Sequence, residues 1–439
     1  MVPDKVIAFN CELNFFLTKL RHPCPLIRQN KGTLNERGDF SFALQMERWS
    51  RYLPKGRLED VNGKMKCVEE ITTILQYWYQ NRNAEETVDC DSIDDVLKYM
   101  MKCSRSWPLV VSRCAVNCGT VAIFLDRKHT FQTVIGPILS IAVPLFALHE
   151  DENEVSLSDV RAKLMRNASV KLLEAVGYDV AAECSNSCNC FHLTTKSKVN
   201  GLSACQAVIC EDVVFSKRHC KEANVKAQEY VRLRCEDMKT MAEHKYDDLT
   251  DATAKEDGFL YMLGEVAMKM DLLKIKPSHT VSICIDEDDV KRRMETSCRG
   301  AAFALYNCAR LSALLRQFEE KVQSDCYPPL IPFEEVDFSL LSKEEEWELV
   351  FSHLLMYPHV LNRATMNATK GEIFPNLICK FIVDLCSCFS LYYRRVRILT
   401  EGRIHLLPVM FARLHLLQAI KEVLYNALEI LEISPVSKM

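Results

Sequence analysis

The chain reads as a multidomain α+β/α protein in which two mixed regions precede an all-α C-terminal bundle. Three observations lead there. The last third repeats apolar residues every three or four positions, the middle carries a helix that stops at a glycine between mixed stretches, and the first third sets strand-like runs among loops marked by Gly and Pro. A length of 439 residues and a hydrophobic content of 48% are enough for two or three domains with buried cores. The expected boundaries are 1–150, 151–295 and 296–439.

In the N-terminal region, 1–150, the run Val121-Ala122-Ile123-Phe124-Leu125 alternates poorly, so it reads as a buried strand. Gly32, Gly38, Pro54, Gly56 and Gly63 punctuate loops before it. The apolar stretch 133–148 contains Gly136, Pro137 and Pro144 and falls short of the ~20 residues that cross a bilayer of about 30 Å. It reads as a buried strand with its flanks, and no membrane is expected as a partner. The start Met1-Val2-Pro3-Asp4-Lys5 lacks a basic segment followed by an apolar run. The 21 cysteines are therefore expected as reduced thiols in the cytoplasm.

In region 151–295, Ser158-Asp159 precedes a helical run over 160–176, Gly177 supplies a left-handed cap, and Tyr178-Asp179-Val180 should begin a strand. Cys184, Cys188, Cys190 and His192 are ligand types that suit zinc. Their Cys-x-x-x-Cys and Cys-x-Cys spacings do not set up the paired turns of zinc knuckles, so they stand as weak candidates and no metal is expected. The sequence has no Gly-x-Ser-x-Gly elbow, no Gly-x-Gly-x-x-Gly turn and no phosphate-loop lysine. No cofactor and no catalytic nucleophile are expected.

The C-terminal region, 296–439, is read from its spacing. Leu407, Met410, Leu414, Leu417, Ile420, Leu424, Leu428 and Leu431 form one apolar helical stripe, with Arg413 and Lys421 off it. Ser342 and Glu345 suggest a capping box for a helix through Trp347 and Leu349 that Pro358 ends or reorients. Pro375 suits the first turn of a helix carrying Phe381, Leu385, Phe389 and Tyr392, in which Cys386 and Cys388 act as small core hydrophobes. Residues 325–332, with three prolines, form a loop between helices.

A net charge of −4 excludes holding nucleic acid by bulk positive charge, so any such contact needs a local patch. Between residues 376 and 426, seven basic side chains face three acidic ones. The basic set is Lys380, Arg394, Arg395, Arg397, Arg403, Arg413 and Lys421, interleaved with Tyr392, Tyr393, His405 and His415. Aromatic faces beside guanidinium groups can stack splayed bases while the charges engage phosphates. The same charges are also compatible with an ordinary solvated surface.

Four blocks in order, Tyr306-Asn307-Cys308-Ala309-Arg310-Leu311, Glu346-Trp347-Glu348-Leu349, Leu391-Tyr392-Tyr393-Arg394-Arg395-Val396 and the tail Ser434-Pro435-Val436-Ser437-Lys438-Met439, resemble class I arginyl-tRNA synthetases. In that family such elements complete the DALR anticodon-binding domain. Region 151–295 is similar to a degenerate class I synthetase-like α/β core, through Arg161 and Leu172-Leu173-Glu174-Ala175-Val176-Gly177-Tyr178-Asp179-Val180. More loosely, Cys118-Gly119-Thr120-Val121 resembles the strand ending the family's N-terminal additional domain, and Met268-Lys269-Met270-Asp271-Leu272-Leu273 a degraded lead into its signature loop. Lys291-Arg292-Arg293-Met294 lies where it could touch the acceptor arm of a tRNA or form an exposed basic face, and the exposed face is the preferred reading.

The departure from the family carries more than the match. Its His-x-Gly-His motif, whose imidazoles stabilise ATP phosphates, falls on Ser156-Leu157-Ser158-Asp159. Hydroxyls and a carboxylate cannot stabilise developing phosphate charge, which needs donors or cations. The stretch before the bundle is also shorter than a complete synthetase core. With Val336-Asp337-Phe338-Ser339-Leu340-Leu341 and Ile378-Cys379-Lys380-Phe381, the chain resembles the DALR anticodon-binding domain-containing protein 3 group of non-synthetase relatives. That resemblance implies an accessory protein that binds arginine tRNA and presents it to a tRNA 3-methylcytidine methyltransferase. Tyr392, Tyr393, Arg394, Arg395, Arg397, Arg403, Arg413 and Lys421 are its expected RNA-binding residues. A protein-interaction scaffold without RNA binding and a divergent arginyl-tRNA synthetase are the two other readings.

Overall fold

The computed structural model describes residues 4–53, 57–59, 65–67, 71–80, 92–139, 156–178, 180, 191–194, 206–215, 226–243, 253–284 and 299–437. Two compact units emerge, and they do not follow chain order. One comprises Val2–Pro137 with Asp337–His359; the other comprises Ile138–Val336 with Val360–Met439. The division thus falls before residue 150, none separates 151–295 from the helical bundle, and a segment from within the C-terminal third is built into the N-terminal unit.

The N-terminal unit starts with α1 (Lys5–Thr18), whose first turn is capped by the Asp4 carboxylate accepting from the Val6 and Ile7 amides. Strands β1 (Ile27–Gln29), β2 (Phe40–Ala43), β3 (Val111–Asn117) and β4 (Thr120–Leu125) form an antiparallel sheet in the order β1-β2-β4-β3. Strand β4 is the buried strand expected at 121–125, with Val121, Ile123 and Leu125 in the core. Gly38 approaches it so closely that a Cβ there would sit 2.7 Å from the Ile123 carbonyl oxygen. Helices α2 (Ile74–Gln80) and α3 (Ile93–Cys103) join α1 around an aromatic cluster of Phe16, Trp78, Tyr99 and Trp107.

Residues 140–148 lie outside the described residues, and 133–139, expected within a strand, are helical: they complete α4 (Arg127–Leu139), which tolerates Pro137 near its end. Phe131, Val134 and Ile135 are all buried, a helical spacing that the unbroken apolar run conceals.

Segment Asp337–His359 closes this unit. Its short helix Glu344–Glu348 begins one residue later than Ser342 implied, since the Lys343 amide donates to Glu346 Oε2 at 2.9 Å. A π-helical turn, Leu349–Leu354, follows, and Pro358 then sits in the first turn of the next helix, whose missing N–H is no loss there. Trp347 stacks on Phe351, which meets Phe40 edge-on, and Phe338 stacks on Phe131. At the centre, the buried Asp39 carboxylate accepts from Trp347 Nε1 (2.9 Å) and from the Leu125 amide (2.7 Å). Arg127 pairs with Glu344 at 3.0 Å and lies over the Trp347 ring. Burial pushes the Asp39 carboxyl up to about 6 despite those hydrogen bonds and the nearby guanidinium.

The second unit opens on α5 (Leu157–Ala175), followed by Gly177 at φ 90° as the expected left-handed cap. Tyr178 and Val180 do not form a strand; Asp179 lies outside the described residues. Among the described residues the first strand of this unit is β5 (Phe191–Thr194), parallel to β6 (Gln206–Ile209), and β7 (Val213–Phe215) pairs in parallel with β8 (Val281–Ile283). Between them run α6 (Ala227–Glu243) and α7 (Thr253–Leu273).

Two buried arginines organise this core. Arg161, 0% exposed, donates to the carbonyls of Glu211, Leu272, Ile275 and Lys276, binding α5 to the turn before β7 and to the chain leaving α7. Arg234 on α6 pairs with Asp237 (2.8 Å) and Asp271 (3.2 Å), and Tyr230 donates to Asp271. A buried charge is tolerated only when its hydrogen-bonding capacity is used in this way.

The bundle consists of α8 (Arg299–Gln323), α9 (Tyr357–Thr365), α10 (Asn376–Arg395) and α11 (Leu407–Ile430), with α8 packed on both α10 and α11. Pro375 precedes α10 as expected, and Cys386 is core while Cys388 is half-buried. The stripe from Met410 to Leu431 is buried, but so are Phe411, Ala412, Arg413, His415 and Leu416, so α11 is enclosed over most of its circumference. The Glu429 carbonyl at its end receives Lys171 Nζ from α5 (3.0 Å), and the Glu432 carbonyl just beyond it receives Lys269 Nζ from α7 (2.8 Å). Cations at the negative end of a helix are favourable, and here they dock the bundle on the α/β core.

Two outcomes follow. Residues 304–439 expressed alone should unfold at lower denaturant than the full chain and bind a hydrophobic dye. Phe338, Trp347 and Phe351 would be uncovered, each exposing roughly 150–250 Å² to water, and co-expression with 1–137 should reverse this in part, the contacts of Lys171 and Lys269 being still absent. For pH, the sign differs by group. Asp39 is raised, so its contribution falls as pH rises from about 4 to about 6, by at most about 3 kcal/mol. His353 is lowered to about 4 by burial, so its contribution rises across roughly the same window. In urea melts, His353→Gln should therefore turn a flat stability profile into one that declines between pH 4 and 6.

Candidate nucleic-acid interface

The exposed basic residues cluster where α10 ends and the chain crosses to α11. Along α10 the core residues Phe381, Leu385, Phe389 and Tyr392 recur at helical spacing, so Tyr392 points inward and is 0% exposed. Its neighbour Tyr393, about 100° further round the helix, is 38% exposed. Arg394, Arg395 and Arg397 follow on the surface. Of the two tyrosines expected to stack on bases, only Tyr393 is placed to do so; Tyr392 is a core residue.

The surface ring does not stand alone. Arg310 on α8 lies between two tyrosines, its guanidinium 4.3 Å from the Tyr393 ring centre and 4.4 Å from that of Tyr306. It donates to Tyr306 Oη at 2.6 Å and to Ser390 Oγ at 3.4 Å. This Tyr-Arg-Tyr stack is preformed, so little conformational freedom would be given up when a flat ligand adds to the outer ring. Arg310 and Tyr306 were not among the residues expected to bind. The signal available in the sequence was their i, i+4 spacing, which puts both on one face of α8.

The crossing from α10 to α11 is fixed by buried contacts. Arg413 is 9% exposed and donates to the Arg397 carbonyl at 2.9 Å. Off the narrow stripe it looked free for RNA; instead α11 is covered on that side too, and its guanidinium serves the backbone. Tyr327, itself receiving a hydrogen bond from Lys321 Nζ, donates to the Thr400 carbonyl. Gly402 passes the Cys326 carbonyl oxygen so closely that a Cβ would come within 2.8 Å. Arg403 is exposed and pairs with Glu401 at 2.8 Å. Lys421 is half-buried, 5.2 Å from the Tyr425 ring. His415 is buried against the Ile331 carbonyl, and desolvation lowers its pKa, so it is a neutral core group.

The position expected to replace the synthetase histidines is used structurally. Ser156 is the N-cap of α5, its Oγ accepting from the Asp159 amide and donating to the Asp159 carboxylate. Ser158 is buried and accepts from the Val213 amide at 3.1 Å, joining α5 to β7. For the zinc candidates, Cys184, Cys188 and Cys190 lie outside the described residues, and His192 is a residue of β5. The basic cluster 291–294 also lies outside them.

Residues 304–439 match the DALR anticodon binding domain, so the C-terminal third carries a domain of the anticodon-binding class, divided between the two units. The chain is 31% identical over 219 residues to the DALR anticodon-binding domain-containing protein 3 of Danio rerio, a match spanning 48% of this chain and 39% of that protein. It is 29% identical over 150 residues to the arginine--tRNA ligase of Caldanaerobacter subterraneus, covering 34% of this chain and 24% of the ligase. The solved arginyl-tRNA synthetase of Thermus thermophilus gives a TM-score of 0.37 at 16% identity, over 54% of this chain and 36% of that one. The chain thus matches well under half the length of its DALR domain-containing relative.

Arg413→Ala should lower stability by about 2 kcal/mol, because the Arg397 carbonyl loses a charged donor in a buried setting. Arg394→Ala, on the surface, should stay within about 0.5 kcal/mol of wild type. Chemical denaturation of both variants checks the contrast.

Proposed function

We propose that this chain is a non-catalytic tRNA-binding accessory protein that holds arginine tRNA by its anticodon arm and presents it to a tRNA 3-methylcytidine methyltransferase in the cytoplasm. The carrying observation is the exposed run Tyr393, Arg394, Arg395 and Arg397 beside the Tyr306-Arg310 pair, within a domain of the anticodon-binding class. An aromatic face for an unstacked base next to guanidinium groups for phosphates is the chemistry that single-stranded RNA loops require. The non-catalytic part rests on Ser156, Ser158 and Asp159. Their polar atoms are committed to capping α5 and to the Val213 amide, and they add an anion where ATP phosphates would need donors. The choice of arginine tRNA and of the methyltransferase follows the resemblance to the DALR domain-containing group.

The test is tRNA binding by the purified chain against salt. Wild type should bind arginine tRNA with an affinity that falls steeply as salt rises, since each phosphate contact releases counterions. Arg394→Glu combined with Arg395→Glu and Arg397→Glu should weaken it at least a hundredfold and flatten the salt slope. ATP–pyrophosphate exchange with arginine should stay at background. Unchanged binding in the triple variant would favour the scaffold reading, and exchange above background the divergent synthetase. Retention of the methyltransferase on the immobilised chain, enhanced by tRNA, tests the presenting role.

A further inference from the structure

Resting on that RNA-binding reading, we infer that Ile404 is a wedge that inserts beside an unstacked base of the RNA loop and so helps decide which loops are accepted. Ile404 opens a single 3-10 turn, Ile404–Leu406, between α10 and α11. At 85% exposure it is the most exposed large apolar side chain among the described residues. An isoleucine held in water forgoes the free energy that burying its side chain would release. A mobile loop would fold such a side chain back onto the surface.

This loop is prevented from doing so. The Arg397 carbonyl is held by buried Arg413, the Thr400 carbonyl by Tyr327, and the Thr400 hydroxyl rests on Met410 Sδ at 3.7 Å. Gly402 is seated against the Cys326 carbonyl, and the Leu406 amide closes the turn on the Arg403 carbonyl at 2.9 Å. The side chain is therefore presented by a backbone fixed at both ends.

Its surroundings select the occupant. Arg403 and His405 flank it in sequence, Arg397 begins the same loop, and all three are exposed. An apolar tip beside the Arg397 and Arg403 guanidiniums matches the pattern by which Ile, Leu or Met wedges enter nucleic-acid stacks while charges hold the backbone. The Arg403–Glu401 pair is more than half exposed at both ends, so it is weak. A phosphate can displace the carboxylate and take the guanidinium in a charge-assisted pair.

The experiment uses the full chain with an anticodon stem-loop RNA carrying 2-aminopurine at each loop position in turn. Wild type should raise the fluorescence at one position, reporting an unstacked base. Ile404→Ser should abolish that rise and weaken binding about tenfold with the salt slope unchanged, Ile404→Leu should restore both, and Arg403→Gln should shift the salt slope while keeping the fluorescence change. Ile404 is a surface residue, so thermal melts of the variants should coincide with wild type. If wild type binds the stem-loop and Ile404→Ser keeps both affinity and signal, the wedge is refuted while the RNA-binding reading stands. If wild type ignores the stem-loop in dilute buffer, both fall. Failure of Ile404→Ser to retain the methyltransferase, with RNA binding intact, would make the tip a protein-docking point and overturn the wedge.

Discussion

The exposed basic surface of the bundle is held in place by a buried cation. Arg413 sits inside α11 and gives a hydrogen bond to the backbone of Arg397, a residue whose own side chain is outside. The two arginines have opposite fates because of one geometric constraint. Helix α11 is enclosed on nearly every side, so a long polar side chain emerging from it must find a partner within the fold, and it meets the carbonyl of a chain that has just left α10. A buried donor of this kind costs free energy unless paired, so the hydrogen bond fixes where the strand of surface residues from Tyr393 to Arg403 must run. Tyr327 and Gly402 repeat the device a few residues later. Recognition by aromatic and guanidinium groups depends on their spacing, and here the spacing is set from beneath.

The legible and illegible parts of this arrangement separate along physical lines. Local signals were legible: the stripe of α11, Gly177 as a left-handed cap and Pro375 ahead of α10 all depend on residues within a few positions of one another. The motif blocks located the anticodon-binding class, which the domain match supports. The burial of Tyr392 was also available, since it shares the spacing of Phe381, Leu385 and Phe389, yet its neighbour Tyr393 shares its chemistry and drew it into the surface set. Arg413 was not legible, because a stripe drawn on one side of a helix cannot show that the other side is covered too. Neither was Arg310, whose role arises from α10 and α8 meeting across 80 positions of sequence. The stretch at Thr133 failed for a different reason: an unbroken apolar run has no period, so length and flanks decide, and Gly136 and Pro137 argued against the helix that tertiary packing nonetheless stabilises.

The start of α5 has a structural role that composition could not show. A nucleotide-binding helix N-terminus must keep its first amides free for phosphate. In α5 the Asp159 amide is taken by Ser156, and the hydroxyl of Ser158 is taken by Val213. Arg161, one turn on, spends its donors on four carbonyls. Groups at this helix start turn inward to hold the core, and the satisfied cap stabilises the helix by about 1 kcal/mol.

The same logic applies to the segment Asp337–His359. It lies within the stretch matched to the anticodon-binding domain, yet Trp347, Phe351 and Phe338 find their partners in Phe40, Phe131 and Asp39 of the N-terminal unit. A domain that lends its aromatic residues to another unit cannot be removed without uncovering both. The buried Asp39 sharpens the dependence. Its carboxylate is held by two donors, one from β4 and one from the lent segment, so withdrawing Trp347 would leave a desolvated anion with half its hydrogen bonds. Uncovering an apolar ring by itself costs in proportion to the area exposed, whereas an anion left unpaired adds a desolvation penalty on top. The N-terminal unit and the anticodon-binding domain are therefore coupled in stability through the segment common to both and the carboxylate that it caps. Variants in the N-terminal unit are in this way able to destabilise Asp337–His359, which lies within the stretch matched to the anticodon-binding domain.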